Sequence, residues 1–150
     1  MKKIIVLNGP NLNLLGQREP AQYGSHTLQD VQVLCETKAS ELGYALEFLQ
    51  SNHEGELIEV IHRAGRECKA GETLGVVFNA GAYTHTSVAL HDAIVGAEVP
   101  TIEIHISNVH AREAFRHHSY LSPVAAGIVV GFGVKGYGLA MEGLVEKFAG

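Results

Sequence analysis

Short apolar runs alternate along this chain with longer segments whose apolar residues recur every three or four positions. Lys3 to Leu7, centred on Ile4-Ile5-Val6-Leu7, reads as a first strand. Thr27 to Leu42 reads as a helix with Leu28, Val31, Leu34, Cys35 and Leu42 on its inward face. Thr27 is its predicted N-cap, Asp30 three residues later completes a capping box, and Gly43 supplies the stop. Ala45 to Leu49 is a second strand. Gly55 to Cys68 is a second helix, with Leu57, Ile58, Ile61 and Ala64 on one face. The pattern continues with a strand over Leu74 to Phe78, a helix over Ser87 to Val95 ending near Gly96, and a strand over Thr101 to Ile106. A short helix is predicted over Ala111 to His117, a fifth strand over Gly127 to Gly131, and a closing helix over Tyr137 to Phe148.

Strands that alternate with helices imply a parallel sheet with right-handed crossovers. Five such units predict an α/β fold of the flavodoxin-like kind, a three-layer sandwich with strand order 2-1-3-4-5, in one domain over residues 1–150. No linker, repeat or low-complexity segment interrupts it. In that order the switch point lies between the first and third strands. The loops after those strands and the end of the fourth strand then line one crevice, and polar residues gather in those places.

Composition narrows the function. The chain has 150 residues, is 46% hydrophobic and 18% charged, and carries a net charge of -5. It reads as a soluble globular protein, and that charge argues against a broad nucleic-acid surface. The apolar run after Met1-Lys2-Lys3 stops at Asn8, too short for a secretory signal, and no stretch reaches the roughly 20 apolar residues of a membrane span. A cytoplasmic location is expected, with Cys35 and Cys68 as buried reduced thiols. Only two aspartates occur, Asp30 and Asp92, so a paired-Asp metal site is hard to assemble. None of the six lysines sits within an apolar strand pattern, as a desolvated Schiff-base amine would.

Three places carry chemistry. The loop after the first strand contains Asn8, Asn11, Asn13, Arg18 and Tyr23. Arg18 is placed to lower the pKa of the Tyr23 phenol: a shift from about 10 to about 8 needs roughly 3 kcal/mol, within reach of one close cation in a partly desolvated site. Pro20 and Gly24 bracket a lid. After the third strand, Asn79-Ala80-Gly81-Ala82-Tyr83-Thr84-His85-Thr86-Ser87 opens a helix whose N–H groups can hold an anion or hydroxyl. Asn79 is the ligand candidate there, and His85 either contacts ligand or bridges to Asp92. The fourth strand, Ile102-Glu103-Ile104-His105-Ile106-Ser107-Asn108, alternates where an interior parallel strand is normally apolar throughout. Glu103 and His105 share a face, in the pattern of a histidine whose charge and tautomer a carboxylate sets. Arg112 and Arg116 follow at i, i+4 on the predicted short helix, suited to grip a carboxylate.

Two patterns are rejected. Gly131-Phe132-Gly133-Val134-Lys135-Gly136 matches a dinucleotide fingerprint, but no further strand with an acidic residue follows it. Nine histidines suggest metal, yet no H-x-x-x-H or C-x-x-C spacing occurs.

With these blocks in view, the chain resembles the type II 3-dehydroquinate dehydratases of the shikimate pathway over nearly its whole length. The resemblance rests on Asn8 to Gly16, Arg18-Glu19-Pro20 with Tyr23-Gly24, Gln50 to Gly55, Asn79 to Ser87, and Glu103 to Asn108. It implies a flavodoxin-like subunit and a cofactor-free, metal-free anti elimination of water from 3-dehydroquinate through an enolate. It also implies a homododecamer, a tetramer of trimers. It makes Tyr23 the base, Arg18 its activator, His105 the acid, Glu103 the acid's partner, and Asn11 the holder of a water that stabilises the enolate. It makes Asn79, Gly81, Ala82, His85, Asp92, Ile106, Ser107, Arg112 and Arg116 substrate-binding. Ala82 departs from the glycine some members carry there.

Other activities fit the loops less well. A flavin-binding module wants a Ser/Thr/Gly-rich phosphate loop after the first strand, and a phosphorylation receiver wants clustered acids there; this loop has Pro and Leu instead. A metal-dependent hydrolase is a third alternative.

Overall fold

In the computed structural model, which describes residues 1–17 and 25–150, strand β1 (Lys3–Asn8) is an interior strand of the sheet, paired on both sides. Side chains of a strand point alternately to opposite faces. Ile4 and Val6 therefore enter one core and Ile5 and Leu7 the other, and all four are fully buried. An all-apolar run is what a strand covered on both faces requires.

The sheet is parallel throughout, in the order β2 (Ala45–Gln50), β1, β3 (Thr73–Asn79), β4 (Thr101–His105), β5 (Gly127–Val130). The predicted flavodoxin-like order holds. Helices α1 (Leu28–Leu42) and α4 (Gly136–Phe148) cover one face, where Val31, Cys35, Ala39, Tyr137, Ala140, Met141 and Leu144 meet Ile4, Val6 and Val77. Helices α2 (Glu54–Lys69) and α3 (Val88–Ala97) cover the other, where Leu57, Ile61, Leu90 and Ile94 meet Ile5, Leu7 and Phe78. Burial in the first core pushes the Cys35 thiol up to about 12, so it stays protonated and unreactive. No helix among the described residues is long and apolar enough to cross a membrane.

Local signals act as predicted at α1. The Thr27 side chain accepts from the Asp30 N–H and the Asp30 carboxylate accepts from the Thr27 N–H. Gly43 ends the helix at φ 86. Helix α3 differs: it continues past Gly96 and ends on Glu98, held in the left-handed region at φ 54.

The helix predicted over Ala111 to His117 does not form. Two separate 3₁₀ turns, Val109–Ala111 and Ala114–Arg116, occupy the region, with Arg112 extended between them. The Asn108 side chain accepts from the His110 N–H and caps the first turn. The run Ala-Arg-Glu-Ala-Phe-Arg has no apolar stripe to pack, and Phe115 is exposed, so a single α-turn gains no tertiary support. Arg112 and Arg116 are consequently not neighbours on one helical face.

Candidate active site

The carboxyl ends of β1 and β3 are held unusually close. Gly9 N–H donates to the Asn79 carbonyl at 2.7 Å, and a Cβ on Gly9 would lie 2.5 Å from the Ala80 carbonyl oxygen. Gly81, at φ 59, sits against the Pro10 carbonyl. Only a residue without a side chain fits at Gly9. The loop after β2 braces the first loop: Gln50 Nε2 donates to the Gly9 carbonyl, and Asn52 Oδ1 accepts from the Asn11 N–H at 3.0 Å. Asn11 itself is held at φ 68.

Beneath these loops Asn8 and Asn79 face one another in register on adjacent strands. The Tyr137 hydroxyl, from α4, donates to Asn8 Oδ1 at 2.7 Å and accepts from Asn79 Nδ2 at 2.9 Å. Asn79 Oδ1 accepts from the Gly81 N–H. Both ends of Asn79 are thus oriented by the fold, and burial raises the Tyr137 phenol well above its ordinary value, keeping it a donor.

A cavity of about 150 Å³ opens where the loops meet the end of β4. Asn11, Asn79, Gly81, Ala82, His85, His105, Ile106, Ser107, Arg112 and Arg116 all line it, so the predicted cluster is largely brought together. The described lining contains two arginines and two histidines and no carboxylate. Its volume is well below the roughly 300–1,000 Å³ of pockets for drug-sized ligands. It suits a small, anionic, hydroxylated molecule. Arg112 and Arg116 reach it despite the broken helix, and Arg116 Nε is steadied by Glu113 at 3.0 Å.

His105 and Glu103 project from the same face of β4, as the alternation predicts. His105 Nε2 lies 2.5 Å from Glu103 Oε2, and both side chains are buried. Burial works against the Glu103 charge, but hydrogen bonds from His105 and Ser122, the charge of His105 and a hydrogen bond from Ser119 outweigh it and hold the carboxyl below the usual range. With Nε2 tied to the carboxylate, Nδ1 is the ring nitrogen left to act in the cavity.

The remaining predicted residues divide. Arg18 and Tyr23, with the bracketing Pro20 and Gly24, lie outside the described residues. Asp92 is 72% exposed, does not line the cavity, and accepts from His91 Nδ1 at 3.1 Å. His85 Nδ1 donates to the His118 carbonyl at 2.8 Å and makes no bridge to Asp92. No three His, Cys, Asp or Glu side chains among the described residues converge as a metal site would require.

The sequence matches the family described as Dehydroquinase class II over residues 2–145. The chain belongs to the class II dehydroquinases. Among its class II relatives, a protein of Marinomonas sp. (strain MWYL1) named 3-dehydroquinate dehydratase is 73% identical over 147 residues, 98% of each chain. Another of that name, from Variovorax paradoxus (strain S110), is 69% identical over 97% of this chain and 99% of its own. The crystal structure of the type II dehydroquinase from Butyrivibrio crossotus aligns with a TM-score of 0.90 at 43% identity, over 95% of this chain and 97% of that one. Of the described motif blocks, those over Asn8 to Gly16, Asn79 to Ser87 and Glu103 to Asn108 contribute residues to the cavity, and Gln50 and Asn52 brace the first of them.

Sequence reasoning missed three residues of this class II site: Tyr137, Ser119 and Ser122. Each belongs to a segment distant in sequence from the group it supports. The available signal was demand: a buried Glu103 and two strand-end asparagines need hydrogen-bond partners.

Proposed function

We propose that this chain, a class II dehydroquinase, is a hydro-lyase that converts 3-dehydroquinate to 3-dehydroshikimate without cofactor or metal, by anti elimination through an enolate. The observation that carries the reading is His105 backed by the buried Glu103 carboxylate, in a cavity whose described lining holds two arginines and no acid.

The substrate class is a β-hydroxy ketone with a carboxylate. Arg112 and Arg116 suit the carboxylate, with the backbone of Ile106 and Ser107 at the end of β4 beside them. Asn79 and His85 suit the hydroxyls. His85 Nδ1 is occupied by the His118 carbonyl, so the neutral ring offers Nε2 as an acceptor.

In the proposed reaction the Tyr23 phenolate, activated by Arg18, takes the proton from the carbon next to the carbonyl. The electron pair of that C–H bond moves onto the carbonyl oxygen, and Asn11, through a water, stabilises the resulting enolate. The enolate then collapses, a carbon–carbon double bond forms, and the C–O bond to the hydroxyl breaks. Hydroxide is a poor leaving group, so His105 supplies a proton and water departs. Each general acid or base is worth about 10²–10⁴-fold, and donors preorganised at the enolate oxygen contribute about 10²–10³-fold. Asp92 has no route to the cavity of its own chain and is assigned no step.

We further propose that residues 1–150 act as one catalytic unit, that the enzyme is cytoplasmic, and that it assembles as twelve subunits. Exposed Phe115, Ile128 and Phe132, on and near the edge strand β5, support self-association. Light scattering tests the count.

The function is tested by adding 3-dehydroquinate to chelator-treated protein and following ultraviolet absorbance. Growth of absorbance from the conjugated product supports the reading. No change, under conditions where the protein is folded, refutes it.

A further inference from the structure

Ser119 is wired in a way that leaves its hydroxyl proton one destination. A serine hydroxyl has one donor and two lone pairs. Ser119 Oγ accepts from the Leu121 N–H and the Ser122 N–H, each at 3.0 Å, which fills both lone pairs. Its proton then points to Glu103 Oε2, 2.9 Å away. Ser122 Oγ donates to the other carboxylate oxygen, Oε1, at 2.5 Å. His105 completes the set on Oε2. Glu103 is therefore surrounded by donors on both oxygens. A neutral carboxyl would be a poorer acceptor for both serines, and Ser119 cannot turn away without abandoning two backbone groups.

Behind His105 lies a second cavity of about 320 Å³, bordered by Glu103, Ser119, Ser122, Thr84 and five histidines. The titratable and charged groups that share it with Glu103 are His85 from the turn after β3, His105 from β4, and His110, Arg116, His117 and His118 from the segment after β4. Glu103 is the only carboxylate among that described lining. In that described lining Arg116 and any protonated histidine favour the ionised form, and the two serines fix its orientation.

We propose that Ser119 and Ser122 are positioning residues that keep Glu103 a carboxylate throughout turnover, so that the acid His105 is always regenerated as imidazolium rather than passing its Nε2 proton to Glu103. The proposal rests on the reading of His105 as the acid. When His105 gives its Nδ1 proton to the leaving hydroxide, the neutral ring keeps its Nε2–H bonded to the carboxylate. The ring takes a proton back from solvent at Nδ1. If Glu103 became protonated instead, it would stop stabilising imidazolium, and His105 would be a neutral ring over more of the working pH range.

The cleaner variant is Ser122→Ala, because Ser119 also ties down the turn over Ser122–Val124. Two readouts are compared for wild type, Ser122→Ala and Ser122→Thr: the pH profile of kcat with 3-dehydroquinate, and the carbon-13 titration of the Glu103 carboxyl. In Ser122→Ala the carboxyl titration moves up by about one pH unit, the size of one lost charge-assisted hydrogen bond, and kcat falls across the profile while its limbs stay, because the Tyr23 phenolate sets the acid limb. Ser122→Thr, which keeps the hydroxyl, restores both. An unmoved carboxyl titration in folded Ser122→Ala overturns the clamp. Wild-type turnover by Glu103→Gln would instead overturn the acid assignment, and the carboxyl titration would still decide whether the serines hold the charge.

Discussion

The imidazole rings of His85 and His105 lie nearly parallel, 18° apart in plane with centroids separated by 6.3 Å. Two stacked rings at that distance, next to Arg116, are a poor place for a second positive charge. Burial is the main reason His85 binds a proton less readily than usual; the His118 carbonyl opposes the effect, and His105 and Arg116 add to it. The proposed reaction uses the two rings differently: His105 as the acid, and His85, which binds a proton less readily than usual, as an acceptor at Nε2.

The lowered proton affinity of His85 makes stability depend on pH. The unfolded chain takes up a proton on His85 near the ordinary value of 6.5, before the folded chain does. Protons then favour the unfolded state. The contribution is present above about pH 6.5 and is lost as the pH falls through the lower folded value. Urea denaturation at pH 7 and pH 5 checks this: His85→Gln, which cannot titrate, loses less stability over that interval than wild type. An equal loss would mean that His85 does not bind a proton less readily in the folded chain.

Tyr137→Phe removes one oxygen atom from a buried chain that links Asn8 to Asn79. It leaves a buried amide donor and acceptor without their partner, at a cost of about 1–3 kcal/mol. Urea unfolding measures the loss. Because Asn79 is no longer oriented, KM for 3-dehydroquinate rises as well. Unchanged stability and unchanged KM together would remove the oriented-asparagine explanation.

Gly9→Ala tests the junction of the two loops. The added carbon would sit 2.5 Å from one backbone atom of Ala80 and 2.7 Å from another, so the loops must part. Overpacking of this kind costs about 1–3 kcal/mol. Misaligned loops separate Asn11 from His105, so kcat/KM falls by more than tenfold, roughly 1.4 kcal/mol or more at the transition state. Turnover at the wild-type rate would show that the close approach is dispensable.

His105→Gln and Tyr23→Phe each remove one proton-transfer group. Each is expected to lower kcat by about 10²–10⁴-fold with little change in Tm. Circular dichroism and single-turnover absorbance distinguish a lost acid or base from a lost fold. A folded variant of either kind with near-normal kcat would strike that residue from the reaction.

Much of the fold was legible because its signals are local. The apolar run of β1, the Thr27–Asp30 box and Gly43 each state their structure within a few residues. The Glu103–His105 pair was legible for a related reason: polar residues that break an interior strand pattern need an explanation. Ala111 to His117 misled because the spacing of its arginines matched a helix while the run lacked an apolar face. Ser119, Ser122 and Tyr137 were invisible because their roles arise only when β5 is laid beside β4 and α4 against β1 and β3. A serine has no sequence signature for the carboxylate it will hold.

The most direct test of the elimination uses 3-dehydroquinate carrying deuterium on the hydrogen anti to the leaving hydroxyl, incubated with chelator-treated enzyme. The product is examined by mass spectrometry. The result expected is conjugated product that has lost the deuterium, as removal by a base on the face opposite His105 requires. Product that retains the deuterium, or no product, would contradict the acid–base pair proposed for this site.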